Sequence, residues 1–382
     1  IISGLTKIIP IQKDNIFILF LRNINCMPYK PKKILKAFSG WKILIAVLLG
    51  LSVSIYLMLE DFSWESYANI QWSFSAVSFL ILAIIFEAIR DLAYMYRIRL
   101  MTDYAIGWKK SFQVIMLWEF ASALTPSVVG GSAVALFIVN KELKNVGKAT
   151  AIVMITALLD ELFYVMMVPI MFIFVGTSSI FVNTSFQIFS FGEFPTQTIF
   201  IFGYLFILFL TLIIFGAIFY RPNLFKNILH FIFSLPFLQR WKSKMDRIGD
   251  EIIITSREMK HKSPTFWAKA FGSTLISWTA RFAVINALIM VLIGHGDQLL
   301  IFARQLMMWV ILLISPTPGG SGVAEFMLPK FLGEFMGDYS NEIALIWRLL
   351  SYYSYLIIGS IVLPIWLRRI YKKKKKLDLN TK

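Results

Sequence analysis

The chain has few charged residues, one cysteine and three histidines. Charged side chains make up 16% of its 382 residues, whereas a soluble domain carries about a quarter, so an ordinary soluble domain is excluded. The single cysteine, Cys26, rules out an internal disulfide framework and a thiolate metal cluster. Because His230, His261 and His295 do not have the spacing of metal ligands, we expect no metal site and no cofactor.

The chain instead contains many long apolar runs. Hydrophobic residues make up 58% of it and the mean hydropathy is +0.70. Runs that can cross about 30 Å of hydrocarbon as helices predict an all-α integral membrane protein with several spans. The predicted full spans are residues 41–59, 75–99, 149–175, 199–219, 267–293 and 341–367.

The positive charge of the chain follows the apolar spans. The net charge is +16, and the basic residues lie mostly in short segments beside spans, such as 30–42 and 372–376. Cytoplasmic loops carry such residues, and anionic lipids of the inner leaflet attract them. We therefore expect membrane lipids, anionic ones above all, as partners, and no nucleic acid. The sequence does not determine an oligomeric state.

Two apolar regions contain nearly the same octapeptide. Gly130 to Phe137 (GGSAVALF) returns as Gly319 to Phe326 (GGSGVAEF), and prolines precede both copies. Proline and glycine split the regions 111–140 and 299–336 into arms too short to cross alone, which predicts re-entrant hairpins. Broken helices that recur in two halves of a membrane protein point to a transport site.

Loop charges give the two regions opposite orientations. Lysine and arginine flank 111–140 on both sides, which predicts cytoplasmic ends, whereas acidic residues flank 299–336, which predicts outer ends. We therefore expect an inverted repeat with halves 75–175 and 267–367, about six full spans and two opposed hairpins, eight helical membrane segments in all. The alternative is eight spans in which each broken region crosses as a kinked helix.

The same charges suggest the domain organisation. We expect a cytoplasmic N-terminal segment 1–34, of which 1–26 could precede a natural start at Met27, a transmembrane domain 35–368 and a basic cytoplasmic tail 369–382. Both termini are then cytoplasmic, in a multi-pass protein of the cell inner membrane. The basic loop 220–266 predicts an amphipathic helix on the inner leaflet, or else a solvated linker helix.

The octapeptides suggest a binding site. Pro126 should end one helix and Ser132 should cap the next, with Gly130 and Gly131 exposing backbone amides between them. Two helix N-termini that meet near the bilayer centre would attract an anion such as a lipid phosphate. The alternative is that the glycines only allow close helix packing. The second copy offers the equivalent residues Pro318, Gly319, Gly320 and Ser321.

Charged residues inside spans are costly and are candidates for function. Glu87 lies three residues before Arg90 in span 75–99, so the two can form a contact, and Glu119 lies on the first hairpin. Arg90 and Arg281 hold comparable places in the two halves, so we expect them to contact an anionic substrate. Four further residues are predicted to couple transport to a proton or to pair with one another, for example Asp160 or Glu161 with Arg348. These four are Asp160, Glu161, Glu325 and Arg348.

Several segments together resemble a known family. They are Ala123 to Ser127, Gly130-Gly131, Asn140 to Glu142, Leu159 to Glu161, and Pro316 to Glu325. Over residues 35–368 the chain resembles the lysylphosphatidylglycerol synthase transmembrane region family, the flippase-like domain of the multiple peptide resistance factor. The resemblance implies a lipid-flipping bundle with inverted halves. Full-length synthases add a soluble transferase domain that this sequence lacks, so we expect no synthase activity and no enzyme.

The leading hypothesis is a flippase-like translocator that moves an anionic phospholipid or a lipid-linked anion by alternating access at a midplane site. The alternatives are an ion-coupled transporter of a small solute and a membrane scaffold without transport. An intramembrane enzyme is less favoured. Gly294 to Asp297 matches a GxGD string, but the aspartate lies at a span end, and GxSxG and HExxH motifs are absent.

Overall fold

The computed structural model describes residues 72–125, 127–182, 185–187, 193–235, 239, 242–313, 319–320 and 322–380. The predicted span 41–59 lies outside them, as do Pro126, Pro318 and Ser321. The described part is almost entirely helical. Four of its helical stretches are long and apolar enough to cross a membrane: Val146–Val175, Thr196–Tyr220, Pro264–Leu292 and Val323–Ile370.

The helices fall into two groups joined by a surface segment. The first group is α1 (Phe74–Met101), α2 (Trp108–Leu124), α3 (Ser127–Leu143), α4 (Val146–Val175), α5 (Thr177–Ile180) and α6 (Thr196–Phe215, extended by a π-turn to Tyr220). The joining segment is α7 (Pro222–Ile232) and α8 (Lys242–Lys260). The second group is α9 (Pro264–Leu292), α10 (Gln298–Leu312), α11 (Val323–Met336), α12 (Ser340–Arg348) and α13 (Ser354–Asn380).

The sequence-based spans correspond to long helices. The predicted spans from 75–99 to 267–293 coincide with α1, α4, α6 and α9. The last predicted span, 341–367, is α12 and α13 joined without interruption by a π-turn at Leu349–Tyr353. Before α6, a two-stranded antiparallel ribbon pairs β1 (Ser185–Gln187) with β2 (Glu193–Pro195).

The first broken region is a helical hairpin. The helix α2 ends at Thr125, which takes the extended conformation that a residue before proline favours. The helix α3 then runs back beside α2, since a Cβ built on Gly131 would lie 2.1 Å from the Ser122 Oγ. Because α2 ends at Leu124 and α3 begins at Ser127, the arms are 17 residues each rather than the predicted 14 and 10.

The second broken region also reverses direction. In the middle of α10, the Arg304 side chain contacts the Glu334 carboxylate at 2.9 Å and donates to the Phe331 carbonyl, both near the end of α11. The two helices therefore lie side by side, with arms of 15 and 14 residues. Asp297 does not lie in a span. Its carboxylate caps α10 by accepting from the amides of Leu299 and Leu300 at 3.1 Å.

The two hairpins open at opposite ends of α9. Lys262, just before α9, contacts Asp103, just before α2, so the first hairpin opens beside the start of α9. The second hairpin begins at Gln298, shortly after α9 ends at Leu292. Among the described helices, α9 packs most extensively against α1, its predicted counterpart in the repeat. The two halves are therefore joined along these helices.

The basic segment between the halves is helical, but α8 is not a solvated linker. Gly147, at the start of α4, lies so close to α8 that its amide donates to the Glu251 carboxylate at 2.6 Å. Ile252 and Met259 are buried, so the apolar face of α8 packs against the bundle. The preceding helix α7 instead leaves Leu224, Ile228 and Phe231 exposed. An apolar face beside basic residues is typical of an amphipathic helix at a membrane surface.

Replacing Gly131 by alanine should destabilise the protein, because the new methyl group would overlap Ser122 at the α2–α3 contact. Overpacking of this kind costs about 1 to 3 kcal/mol. Gly272→Ala in α9 is the matched control, since nothing lies within 4 Å of its added Cβ. We expect the control to be neutral or to gain up to about 1 kcal/mol of helix propensity. Unfolding in mixed SDS–detergent micelles measures both, and equal stability of the two variants would contradict the packing.

Candidate functional site

The tips of the two hairpins meet. Gly319 follows α10 with a φ of 56°, in the left-handed region that favours glycine. A Cβ at this position would lie 3.2 Å from the Ala123 Cα, at the end of α2, and 2.5 Å from the Tyr352 ring. The Tyr352 hydroxyl donates to the Ala123 carbonyl at 3.1 Å. Glycine is therefore required where the two hairpins and the π-turn touch.

Next to this contact, one carboxylate joins the two predicted arginines. The Arg90 Nη2 lies 2.7 Å from the Glu119 Oε2, and the Arg281 Nη2 lies 3.7 Å from the same oxygen. Glu119 stands one helical turn before Ala123 on α2. The repeat-related arginines are thus brought together by a hairpin residue. Sequence reasoning noted Glu119 as a hairpin charge but did not assign it to the site.

Arg90 is fixed by several partners. Its side chain is 1% exposed and its Nη1 lies 2.9 Å from the Glu87 carboxylate and 3.5 Å from that of Asp91. The same nitrogen donates to the Tyr355 hydroxyl on α13. That hydroxyl lies 2.8 Å from the Glu87 Oε1 and 2.9 Å from the Asp91 Oδ1, and it can donate to one of them. The expected contact between Glu87 and Arg90 is confirmed, whereas nothing in the sequence indicated Tyr355.

Arg281 is held more loosely. Its guanidinium carbon lies 4.7 Å from the ring centre of Trp278 and 5.2 Å from that of Trp309. The Arg281 and Glu119 side chains are 17% and 21% exposed, far more than Arg90. Aromatic faces stabilise a guanidinium without neutralising its charge. Of the two arginines, Arg281 is therefore the one that another anion can approach.

A second ion pair lies beside this centre. The Arg97 guanidinium contacts both Asp160 oxygens, at 2.6 and 3.0 Å, and donates to the Thr274 hydroxyl at 2.8 Å. The Trp278 indole also donates to Asp160, at 2.9 Å. Arg97 is one of the basic residues that precede 111–140, for which the sequence predicts a cytoplasmic position, but its side chain is only 4% exposed. Hydropathy alone cannot distinguish a buried charge near a helix end from a loop charge.

The expected partners of Arg348 were wrong. Arg348 makes a bidentate contact with Glu325, at 2.8 and 2.7 Å, rather than with Asp160 or Glu161. Glu161 instead accepts from the Thr211 hydroxyl at 3.2 Å. Both partners of the Arg348–Glu325 pair belong to the second half, so this pair supports one hairpin and does not join the halves.

The two octapeptides differ in structure. Ser132 is not a helix cap, because α3 begins at Ser127 and contains Gly130, Gly131 and Ser132. In the second copy Gly319, Gly320 and Gly322 all have positive φ, and α11 begins only at Val323. There the Gly322 amide donates to the Glu325 carboxylate at 2.8 Å. The anion at this helix N-terminus is thus a side chain of the protein.

Comparison with known proteins identifies a family. The family described as lysylphosphatidylglycerol synthase TM region matches residues 42–359. The chain belongs to this family. The family members include a UPF0104 membrane protein of Archaeoglobus fulgidus, which is 24% identical over 337 residues, 83% of this chain and 95% of that protein. No solved structure matches the chain.

Replacing Asp160 by asparagine should destabilise the bundle, because it leaves the buried Arg97 guanidinium without a carboxylate. Breaking a buried pair costs about 3 kcal/mol or more. Asp250→Asn is the matched control, since its pair with Lys226 has side chains that are 57% and 31% exposed. Exposed pairs contribute about 1 kcal/mol or less. Comparable losses of unfolding free energy in SDS–detergent micelles would contradict a structural role for Asp160.

Proposed function

We propose that the protein is a translocator of an anionic phospholipid or a lipid-linked anion and works by alternating access at the hairpin tips. The observation that best supports this is the Arg281–Glu119 pair, which is partly exposed beside the contact between Ala123 and Gly319. Charged groups at membrane depth are costly and mark substrate pathways. The Arg281–Glu119 pair is a charged group of this kind. It is partly exposed, and it lies where two broken helices meet.

Arg90 and Arg281 have different roles in this proposal. Arg90 keeps Glu119 paired at 2.7 Å, so Arg281 can release that carboxylate and bind a substrate phosphate. The indole rings of Trp278 and Trp309 hold the guanidinium of Arg281 in place during the exchange. Because the substrate carries the charge that Glu119 supplied to Arg281, binding leaves no unpaired cation inside the membrane.

In this proposal the two hairpins are re-entrant segments that enter from opposite faces. Their arms of 14 to 17 residues correspond to about 21 to 25 Å of helix, less than the hydrocarbon thickness of about 30 Å. Their tips close the path at Ala123 and Gly319, and separation of the tips toward either face would open it to that side. The basic residues around the first hairpin favour a cytoplasmic opening for it.

A second candidate, an ion-coupled carrier of a small solute, is favoured by Glu161. This carboxylate contacts the Thr211 hydroxyl and has no basic partner among the described residues. A carboxylate of this kind at membrane depth can exchange a proton during transport. The two candidates differ in their cargo and in their dependence on a proton gradient.

Transport should depend on the charge of Arg281. In liposomes that contain a fluorescent anionic phospholipid, we expect Arg281→Gln to slow the exchange of lipid between leaflets about tenfold or more, because a charge-assisted contact is lost. Arg281→Lys should retain part of the rate. The control is Arg99→Gln, which removes a cation stacked on Trp108 outside the centre. Bleaching of the outer leaflet by dithionite measures the rate.

Two results would contradict the proposed lipid translocation. One is a rate in Arg281→Gln liposomes equal to that of the unchanged protein, and the other is a rate no higher than in liposomes without protein. Uptake of a small soluble anion that requires a proton gradient and is lost in Glu161→Gln would instead support the second candidate.

The re-entrant arrangement predicts a pattern of chemical labelling. The test starts from a chain in which Cys26, its single cysteine, is replaced by serine. Lys109→Cys and Lys141→Cys, at the two ends of the first hairpin, should react with an impermeant maleimide from the same side. His295→Cys and Glu334→Cys should both react from the opposite side. Labelling of Lys109→Cys and Lys141→Cys from different sides would establish full spans instead.

A further inference from the structure

Three carboxylates and two guanidinium groups form a charged centre beside the hairpin tips. They are those of Glu87, Asp91, Glu119, Arg90 and Arg281. The neighbouring ion pair of Arg97 and Asp160 is balanced by itself. If all three carboxylates were ionised, the centre would carry an excess of one negative charge among the described residues. Such a charge is costly at membrane depth.

The contacts of the Tyr355 hydroxyl indicate that one of these carboxyls carries a proton. The hydroxyl accepts from the Arg90 Nη1, and it lies 2.8 Å from the Glu87 Oε1 and 2.9 Å from the Asp91 Oδ1. Its single hydrogen can be donated to only one of these two oxygens. The other contact has a hydrogen between its oxygens only if that carboxyl is protonated and donates to the hydroxyl. Hydrogen bonding therefore leads to the same proton as the charge count.

A buried oxygen without a partner also points to a neutral carboxyl. Glu87 is 9% exposed, and its Oε2 is buried without a hydrogen-bond donor in the part of the chain that the structure describes. An ionised Glu87 would place part of its charge on this oxygen, whereas a protonated carboxyl has no formal charge to stabilise there. The Asp91 side chain is less enclosed, at 19% exposed, so a proton can reach the pair through it.

The groups that face Glu87 and Asp91 come from four of the described helices. They are Arg90 and Tyr94 on α1, Glu119 on α2, Arg281 on α9 and Tyr355 on α13. The π-turn also packs against α1, and its titratable groups are the neutral phenols of Tyr352 and Tyr353. Because like charges this close cannot both be retained, the two carboxyls titrate together and share one proton.

We propose that Glu87 and Asp91 form a proton-binding site that couples transport to a proton gradient, with one proton bound at rest and a second taken up with each anion. The coupling rests on the translocation proposed above. When a singly charged phosphodiester replaces Glu119 at Arg281, the centre gains one negative charge, and a proton on the remaining carboxylate of the pair restores neutrality. Arg90 then pairs with Glu119, and Arg281 pairs with the phosphodiester. The proton and the anion therefore each increase the affinity for the other.

Infrared difference spectroscopy of the full-length protein in detergent detects this proton, because the carbonyl stretch of a protonated carboxyl is separate from the bands of carboxylates. Either Glu87→Gln or Asp91→Asn leaves two carboxylates with two arginines, so each variant should lose a protonated-carboxyl band that the unchanged protein has. Arg281→Gln removes a cation and should gain such a band. Tyr355→Phe keeps the charges of the centre, so the band should remain and shift in frequency. The matched control Asp250→Asn alters an exposed carboxylate and should leave the band unchanged.

Two spectroscopic results would overturn the proposal. One is a protonated-carboxyl band that is unchanged in both Glu87→Gln and Asp91→Asn. The other is the absence of this band together with a rise in melting temperature on adding sodium but not potassium, because a metal cation would then balance the charge. The unchanged protein gives a test that does not depend on how the variants fold. Its band should strengthen when short-chain phosphatidylglycerol is added, since each anion brings a proton, and no change on saturation with this lipid would contradict the coupling.

A transport assay separates this inference from the proposed function. In liposomes that contain a fluorescent phosphatidylglycerol, a gradient of about one pH unit should bias the lipid toward the alkaline leaflet by up to about tenfold, because one proton accompanies each lipid. Asp91→Asn should abolish this bias, whereas Asp250→Asn should retain it, and liposomes without protein give the background. Lipid exchange by the unchanged protein that ignores the gradient would overturn the coupling and leave the translocation standing. The predicted infrared bands without any lipid exchange would support the proton site and contradict the lipid as its cargo.

Discussion

Guanidinium groups inside a helical bundle require carboxylates beside them, and this requirement determines which helices of the protein touch. An unpaired charge at membrane depth costs several kcal/mol, so each buried arginine brings its own partner helix to it. Arg90 joins α1 to α2 and α13, and Arg97 joins α1 to α4 and α9. Arg304 joins the two arms of the second hairpin. The apolar surfaces supply contact, but the ion pairs specify which surfaces meet.

Hydropathy and chain breakers are local properties, so they could be predicted. Spans such as 149–175 and 267–293 follow from long apolar runs, and the turn at Thr125 follows from the proline after it. The contact between Glu87 and Arg90 on one helix is local and could be predicted, but which carboxylate of another helix an arginine meets is a tertiary property that spacing does not give. Arg348 could not be assigned to Glu325 from spacing, because the contact depends on how α11 packs against α12.

The two octapeptides show that few substitutions are enough to change the conformation of the backbone. Ala133 and Leu136 in the first copy stand where the second has Gly322 and Glu325. An alanine favours continuation of the helix, whereas Gly322 adopts a φ of 79° and leaves an amide that the Glu325 carboxylate accepts from. Similar sequence therefore gave a continuous helix in one half and a turn of positive-φ glycines in the other.

The carboxylate at the start of α11 has a thermodynamic consequence. A carrier built from two identical inverted halves would have inward-facing and outward-facing conformations of equal free energy, since one is the other turned over. At this position of the octapeptide only the second copy carries an anion, Glu325, which is fixed by Arg348 and the Gly322 amide. In the proposed carrier this difference removes the degeneracy, so the two conformations would differ in free energy and the empty protein would favour one of them. The matching residue of the first half, Leu136, cannot form this contact, so the halves differ at this helix start.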